Sequence, residues 1–149
     1  MEKRLALVTL VLSLLAGCMV MAPGHLYPVE GPLSTQAPVP IYKVTLSGVL
    51  TSGSMSATLP DGEVCSGGWT AIAQDDATAG SMSADWDRVY GAGFLVANVL
   101  GKPVFARATL TGTKGTNLQV QFYDPTPGQP ANVEGVAKDN SGNIFKLTF

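Results

Sequence analysis

The chain has 149 residues, of which 13% are charged, with a formal net charge of −2, one histidine and two cysteines. It carries no basic cluster to neutralise phosphates, which excludes nucleic acid as a natural partner. So few histidines and cysteines also leave little material for a Cys/His zinc site or for any chemistry built on an imidazole base.

The first residues read as an export signal. Lys3 and Arg4 form a positive start, and Leu5 to Leu15 is apolar except for Thr9 and Ser13. Spanning a bilayer takes about 20 apolar residues, so this run is too short to be a transmembrane helix. It ends in Leu15-Ala16-Gly17-Cys18, with two small residues before a thiol, the soft nucleophile that lipid transfer uses. This ending resembles the lipobox of bacterial lipoproteins.

The resemblance implies that residues 1–17 are a signal peptide and that the Cys18 thiol receives diacylglycerol. It also implies that the new amino terminus is acylated and the product is membrane-bound. Each buried CH₂ contributes about 0.8 kcal/mol, and two or more acyl chains anchor stably where one does not. Met19, in a position where Asp marks inner-membrane retention, makes the periplasmic face of the outer membrane the implied location.

Removal of residues 1–17 leaves 132 residues with seven basic and ten acidic side chains, enough for a single domain with its own core. The composition is rich in Gly, Thr and Val, which suits short strands joined by turns. With Cys18 carrying lipid, Cys65 has no partner within the chain, so packing has to supply the stability. Residues 18–41 hold Pro23, Pro28, Pro32, Pro38 and Pro40 and read as an extended tether that lifts the domain off the membrane. His25 lies in this tether, ahead of the domain at 42–149, and is expected to be a solvated linker residue.

Seven strands are predicted in the domain. Lys43 to Leu50 alternates, Met55-Ala57-Leu59 keeps the same period, and Pro60-Asp61-Gly62 supplies a turn before Glu63 to Ala73. After a polar loop from Gln74 to Gly80, Ser83 is the expected cap of a helix, with Asp85 and Asp87 near its positive end. Trp86, Val89, Tyr90, Gly93, Ala97 and Leu100 recur at helical spacing up to a stop at Gly101 and Pro103. Gly91 and Gly93 each weaken that helix by about 1 kcal/mol relative to Ala, and a strand from Phe94 to Leu100 is the rival. Val104 to Thr111, Leu118 to Tyr123, Ala131 to Lys138 and Asn143 to Phe149 complete the set, the last two joined by the turn Asp139-Asn140-Ser141-Gly142.

Two three-strand units are similar. Thr45-Leu46-Ser47-Gly48 matches Thr109-Leu110-Thr111-Gly112, and Met55, Ala57, Leu59 and Asp61 match Leu118, Val120, Phe122 and Asp124. Beyond the turn, Cys65, Gly67 and Trp69 match Val133, Gly135 and Ala137, with a longer turn in the second unit. Since neither half can bury its apolar face alone, the expected architecture is mainly β, a small sandwich or barrel of about seven antiparallel strands with one helix between the units. Cys65, matched to Val, is expected to be buried and inert.

Carboxylates are the remaining reactive groups. The pairs Asp61 and Glu63, Asp75 and Asp76, and Asp85 and Asp87 suit a hard cation or acid–base work on a glycan, but a turn, a loop and a helix start explain them equally. Gly67-Gly68 beside Trp69 is expected to mark a bulge, the alternative being close approach of a backbone or ligand. Phe145-x-Leu147-x-Phe149 resembles the last strand of outer-membrane barrels, although packing of a final strand accounts for it. The stretches 86–101 and 135–143 are similar to parts of small β-rich envelope lipoproteins, a class that brings no activity or site with it.

The expected function is therefore a non-enzymatic, lipid-anchored envelope protein without cofactor or metal, held in the membrane by Cys18 and meeting an envelope protein partner. The alternatives are a carboxylate-dependent hydrolase of glycan or peptidoglycan using Glu63 with Asp61, and a carrier of a small apolar ligand in a cavity near Trp69 and Trp86.

Overall fold

A computed structural model describes residues 20–49, 51–73, 82–127 and 129–149. Eight antiparallel strands close into a barrel in chain order: β1 (Val20–Glu30), β2 (Tyr42–Val49), β3 (Ser52–Thr58), β4 (Val64–Ala71), β5 (Val104–Gly112), β6 (Asn117–Asp124), β7 (Glu134–Asp139) and β8 (Ile144–Thr148). Each strand pairs with the next and β8 pairs back with β1, so no edge is left open. All seven expected strands are present, to within a few residues at their ends. The eighth is β1.

That strand corrects the tether, because residues 20–30 belong to the barrel wall and His25 is an exposed residue of a strand. Prolines tolerate this position because the two flanks of β1 are paired at different heights. Its first half pairs with β2 up to Leu26 opposite Tyr42, and its second half pairs with β8 from His25 opposite Thr148. Pro23 is therefore paired only with β2 and Pro28 only with β8, next to an irregularity before Glu30, so each has one unpaired flank on which a missing N–H breaks no ladder bond. Beyond β1 the chain turns through a short 3₁₀ helix, Pro32–Thr35, before β2.

Alternation along the strands sorts the residues cleanly. Leu26, Val44, Leu46, Met55, Ala57, Cys65, Trp69, Leu110, Leu118, Val120, Phe122, Phe145 and Leu147 fill the barrel as one apolar cluster. An eight-stranded barrel is just wide enough for its own side chains, and here they occupy it. The outer faces of β2 to β5 present Lys43, Ser54, Thr58, Ser66, Thr70, Arg107, Thr109 and Thr111. A barrel spanning a membrane carries the reverse pattern, apolar outside and polar inside. Phe145 and Leu147 point inward, which gives the final strand its Phe and Leu.

The two units are recognisable in space as β2–β4 and β5–β7. Leu46 lies opposite Met55 as Leu110 lies opposite Leu118, and Val44 opposite Ala57 as Ala108 opposite Val120. The correspondence ends at the third strand: Ala57 faces Cys65, but Val120 faces Ala137, four residues beyond Val133. The longer β6–β7 loop absorbs the offset, taking in a short 3₁₀ turn at Pro130–Asn132.

In the long connection between β4 and β5 the expected helix is present but ends earlier than its spacing predicts, and the rival strand is replaced by a helical turn. Helix α1 covers Ser83–Tyr90 and a single π-helical turn covers Leu95–Val99, so residues 94–100 are not a strand. Gly91 and Gly93, with φ of +105° and +80°, break the helical run by entering the left-handed region that other residues avoid. Met82, without a side-chain cap, occupies the cap position assigned to Ser83. Helix and π turn pack on the outside of the barrel, where Met82, Trp86, Leu95 and Val99 meet the outward faces of Phe105, Tyr123 and Val136.

Candidate functional site

Trp69 and Trp86 stand on opposite sides of the barrel wall. Trp69 lies inside at the β2–β3 end, where Gly48 and Gly53 pair and leave room for its ring. Its indole N–H donates to the Ser47 carbonyl at 2.9 Å, and its ring meets Phe122 edge-on at 5.4 Å. Gly67 brings the Thr109 carbonyl of β5 close, and the β4–β5 ladder keeps one register on both sides of Gly67-Gly68. The bulge expected there is thus replaced by close backbone approach.

Trp86 lies outside the wall, fully buried beneath α1. It is surrounded by the rings of Tyr90, Phe94, Phe105 and Tyr123 at 5.6 to 6.4 Å, and its N–H donates to Gln121 Oε1 at 2.9 Å. Tyr90 extends this seam. Its hydroxyl donates to the Gly135 and Leu147 carbonyls, and Lys146 Nζ sits 5.0 Å from its ring centre. Burial pushes the Tyr90 hydroxyl above its usual range, which keeps it a donor. The two tryptophans therefore do not line one cavity, and both indole donors are already used.

The carboxylates of the hydrolase alternative lie at the opposite end of the barrel. Glu63 is 3% exposed and works as a clasp on the β5–β6 turn. Its Oε2 accepts from the Thr116 hydroxyl at 2.7 Å, and its Oε1 accepts from the Lys114 backbone N–H at 2.7 Å and the Thr116 N–H at 3.4 Å. The Thr116 hydroxyl, assisted by those amides, lowers the Glu63 carboxyl against the opposing effect of burial.

Asp61, exposed in the β3–β4 turn, accepts from the Glu63 N–H at 3.0 Å and meets Lys114 Nζ at 3.1 Å, so it too is held below its usual value. An acid that donates a proton near neutral pH needs the opposite shift. Cys65, fully buried next to this clasp, is raised by burial and by the charges of Glu63 and Asp61, so its thiol stays protonated.

The neighbouring β7–β8 turn is built in the same way. Asp139 accepts from the N–H groups of Ser141 and Asn143 and from the Asn143 side-chain amide, and Asn143 Oδ1 accepts from the Leu33 N–H at 2.8 Å, tying in the β1–β2 connection. Asp139-Asn140-Ser141-Gly142 is thus a hairpin turn in place, with Gly142 at φ +85°. Among the described residues no group of three or more His, Cys, Asp or Glu side chains is arranged to hold a metal ion.

Asp85 is buried in the first turn of α1 with Oδ1 3.6 Å from Arg88, and Oδ2 has no hydrogen-bond partner among the described residues. Asp87 is exposed and accepts from the Gly93 N–H at 3.1 Å. Asp75, Asp76 and Cys18 lie outside the described residues.

One concavity was not foreseen from the sequence. A cleft of about 330 Å³ opens between the β6–β7 loop and the end of β8, lined by Tyr123, Pro125, Val133, Glu134, Thr148 and Phe149 among others. Its polar feature is the Tyr123 hydroxyl donating to Glu134 Oε2 at 2.8 Å. Burial and this bond to a carboxylate push Tyr123 up to about 12. Tyr123 and Glu134 are cross-strand neighbours in the β6–β7 ladder, so the longer second turn is the sequence signal for a loop overhanging them. The Tyr123–Glu134 hydrogen bond gives this recess its polar wall. No family model, curated protein or solved structure matches the chain.

Proposed function

We propose that this chain is a lipid-anchored protein of the bacterial cell envelope, attached through Cys18, whose barrel has a non-enzymatic binding or structural role at the periplasmic face of the outer membrane. The observation that carries this reading is Leu15-Ala16-Gly17-Cys18 at the end of a short apolar run with a basic start. The arrangement of the barrel supports the non-enzymatic part. Glu63, the best placed acid in the sequence, spends its oxygens on Thr116 and Lys114, and the barrel interior is occupied by side chains.

Growth of the producing cells with radiolabelled palmitate tests the anchor. Label should enter the wild-type protein and be lost in Cys18→Ala; equal labelling of both, or none in either, refutes the reading. Crosslinking in intact cells followed by purification should recover an envelope partner, and reproducible recovery of the chain alone counts against a binding role.

A further inference from the structure

The two ends of the barrel are not equivalent. Adjacent strands run in opposite directions, so one rim carries the start of β1, the β2–β3 turn, the β4–β5 connection, the β6–β7 loop and the end of β8. The other carries the β1–β2 connection and the tight β3–β4, β5–β6 and β7–β8 turns. The start of β1 is fixed in the first rim by pairing of Val20 with Gly48 and of Met21 with Ser47. Cys18 precedes Val20 by two residues, and two residues of chain reach at most about 7 Å even when fully extended.

Acyl chains carried by Cys18 can enter a bilayer on so short a lead only if that first rim lies at the interface. The rim is suited to this contact. Met21 is 68% exposed, Val49 next to Gly48 is 58% exposed, and exposed Val96 belongs to the connection that leaves from and returns to the same rim. Exposed apolar side chains alone do not choose an end, because Tyr27, Val29, Val39 and Ile41 are also exposed on β1 and in the connection that follows it. The length of the lead does choose. The far rim, with its Asp61–Lys114 ion pair and polar turn at 140–142, stands roughly 20 Å further out along tilted strands of this length.

Resting on the lipid-anchor reading above, we infer that the barrel sits directly on the bilayer with the β2–β3 rim against the lipid headgroups, Met21 and Val49 entering the interface and the Asp61–Lys114 rim facing water. The predicted spacer is replaced by close seating, and the rim presented to soluble partners is the one built by Glu63, Lys114 and Asp139.

The test uses the full, processed chain purified from membranes and reconstituted into phosphatidylethanolamine and phosphatidylglycerol vesicles with brominated acyl chains. A bimane label is placed through Val49→Cys or, on the far rim, through Thr113→Cys, while buried Cys65 stays unlabelled. Bromine quenching several-fold stronger at position 49 than at position 113 is the expected result. Equal quenching in protein whose amino-terminal peptide carries lipid by mass spectrometry overturns the orientation and leaves the anchor standing. An unmodified Cys18 overturns both.

Discussion

Replacing Trp86 with Phe keeps a ring beneath α1 but removes the indole N–H, leaving buried Gln121 Oε1 without its 2.9 Å donor. An orphaned buried acceptor costs about 1–3 kcal/mol, and the smaller ring adds a cavity term to it. Gln121→Leu alone should cost a similar amount, because it strands the indole donor among Tyr90, Phe94, Phe105 and Tyr123. The double variant removes both partners, and an apolar pair of similar shape restores most of the loss.

Urea unfolding followed by far-ultraviolet circular dichroism reads this directly. With a slope of about 2 kcal/mol per M, a 2 kcal/mol loss lowers the midpoint by about 1 M. Each single variant should shift by roughly that amount, and the double variant should recover toward wild type. Additive losses in the double variant would refute the idea that the Trp86–Gln121 hydrogen bond helps to tie the helix to the wall, as would a Trp86→Phe protein as stable as wild type.

Adjacent glycines should respond oppositely. A methyl group at Gly67 meets the Thr109 carbonyl and sits 3.4 Å from Leu110 Cα, so Gly67→Ala should cost about 1–3 kcal/mol by overpacking. At Gly68 the nearest atom is 3.6 Å away, so Gly68→Ala should stay within about 0.5 kcal/mol in the same urea assay. Glu63 has a lowered pKa in the folded chain, so its contribution is present above its ordinary value of 4.5 and is lost as pH falls below it. Thermal melting should therefore show Glu63→Gln less stable than wild type at neutral pH, with the gap closing in acid; a gap that widens in acid contradicts the clasp. Cys65 should be inert to Ellman's reagent in the native protein and react once denatured, so that rapid native labelling would show the β3–β5 wall to be open.

The periodicity of two in residues 43–71 and 104–149 was sufficient to locate seven strands, because an apolar face turned inward and a polar face turned outward leaves a local imprint. The likeness of Leu46, Met55 and Ala57 to Leu110, Leu118 and Val120 likewise announced which hairpins would match. β1 left no such imprint, since Pro23 and Pro28 argue against a ladder unless the pairing on each flank is known. That knowledge exists only once the barrel has closed with β8 on one side and β2 on the other.

The same distinction governs the candidate site. Trp69 and Trp86 look alike in sequence, yet one faces the interior and the other a helix on the outside, a difference set by which surface the β4–β5 connection packs against. Glu63 and Thr116 are far apart in the chain, and only the β4–β5 pairing makes one the clasp of the other. The pattern of adjacent residues from Leu15 to Cys18, on which the proposed anchor rests, is legible in the sequence alone. Whatever depends on which strands become neighbours was decided by closure, because cross-strand contacts join residues whose proximity no local pattern encodes.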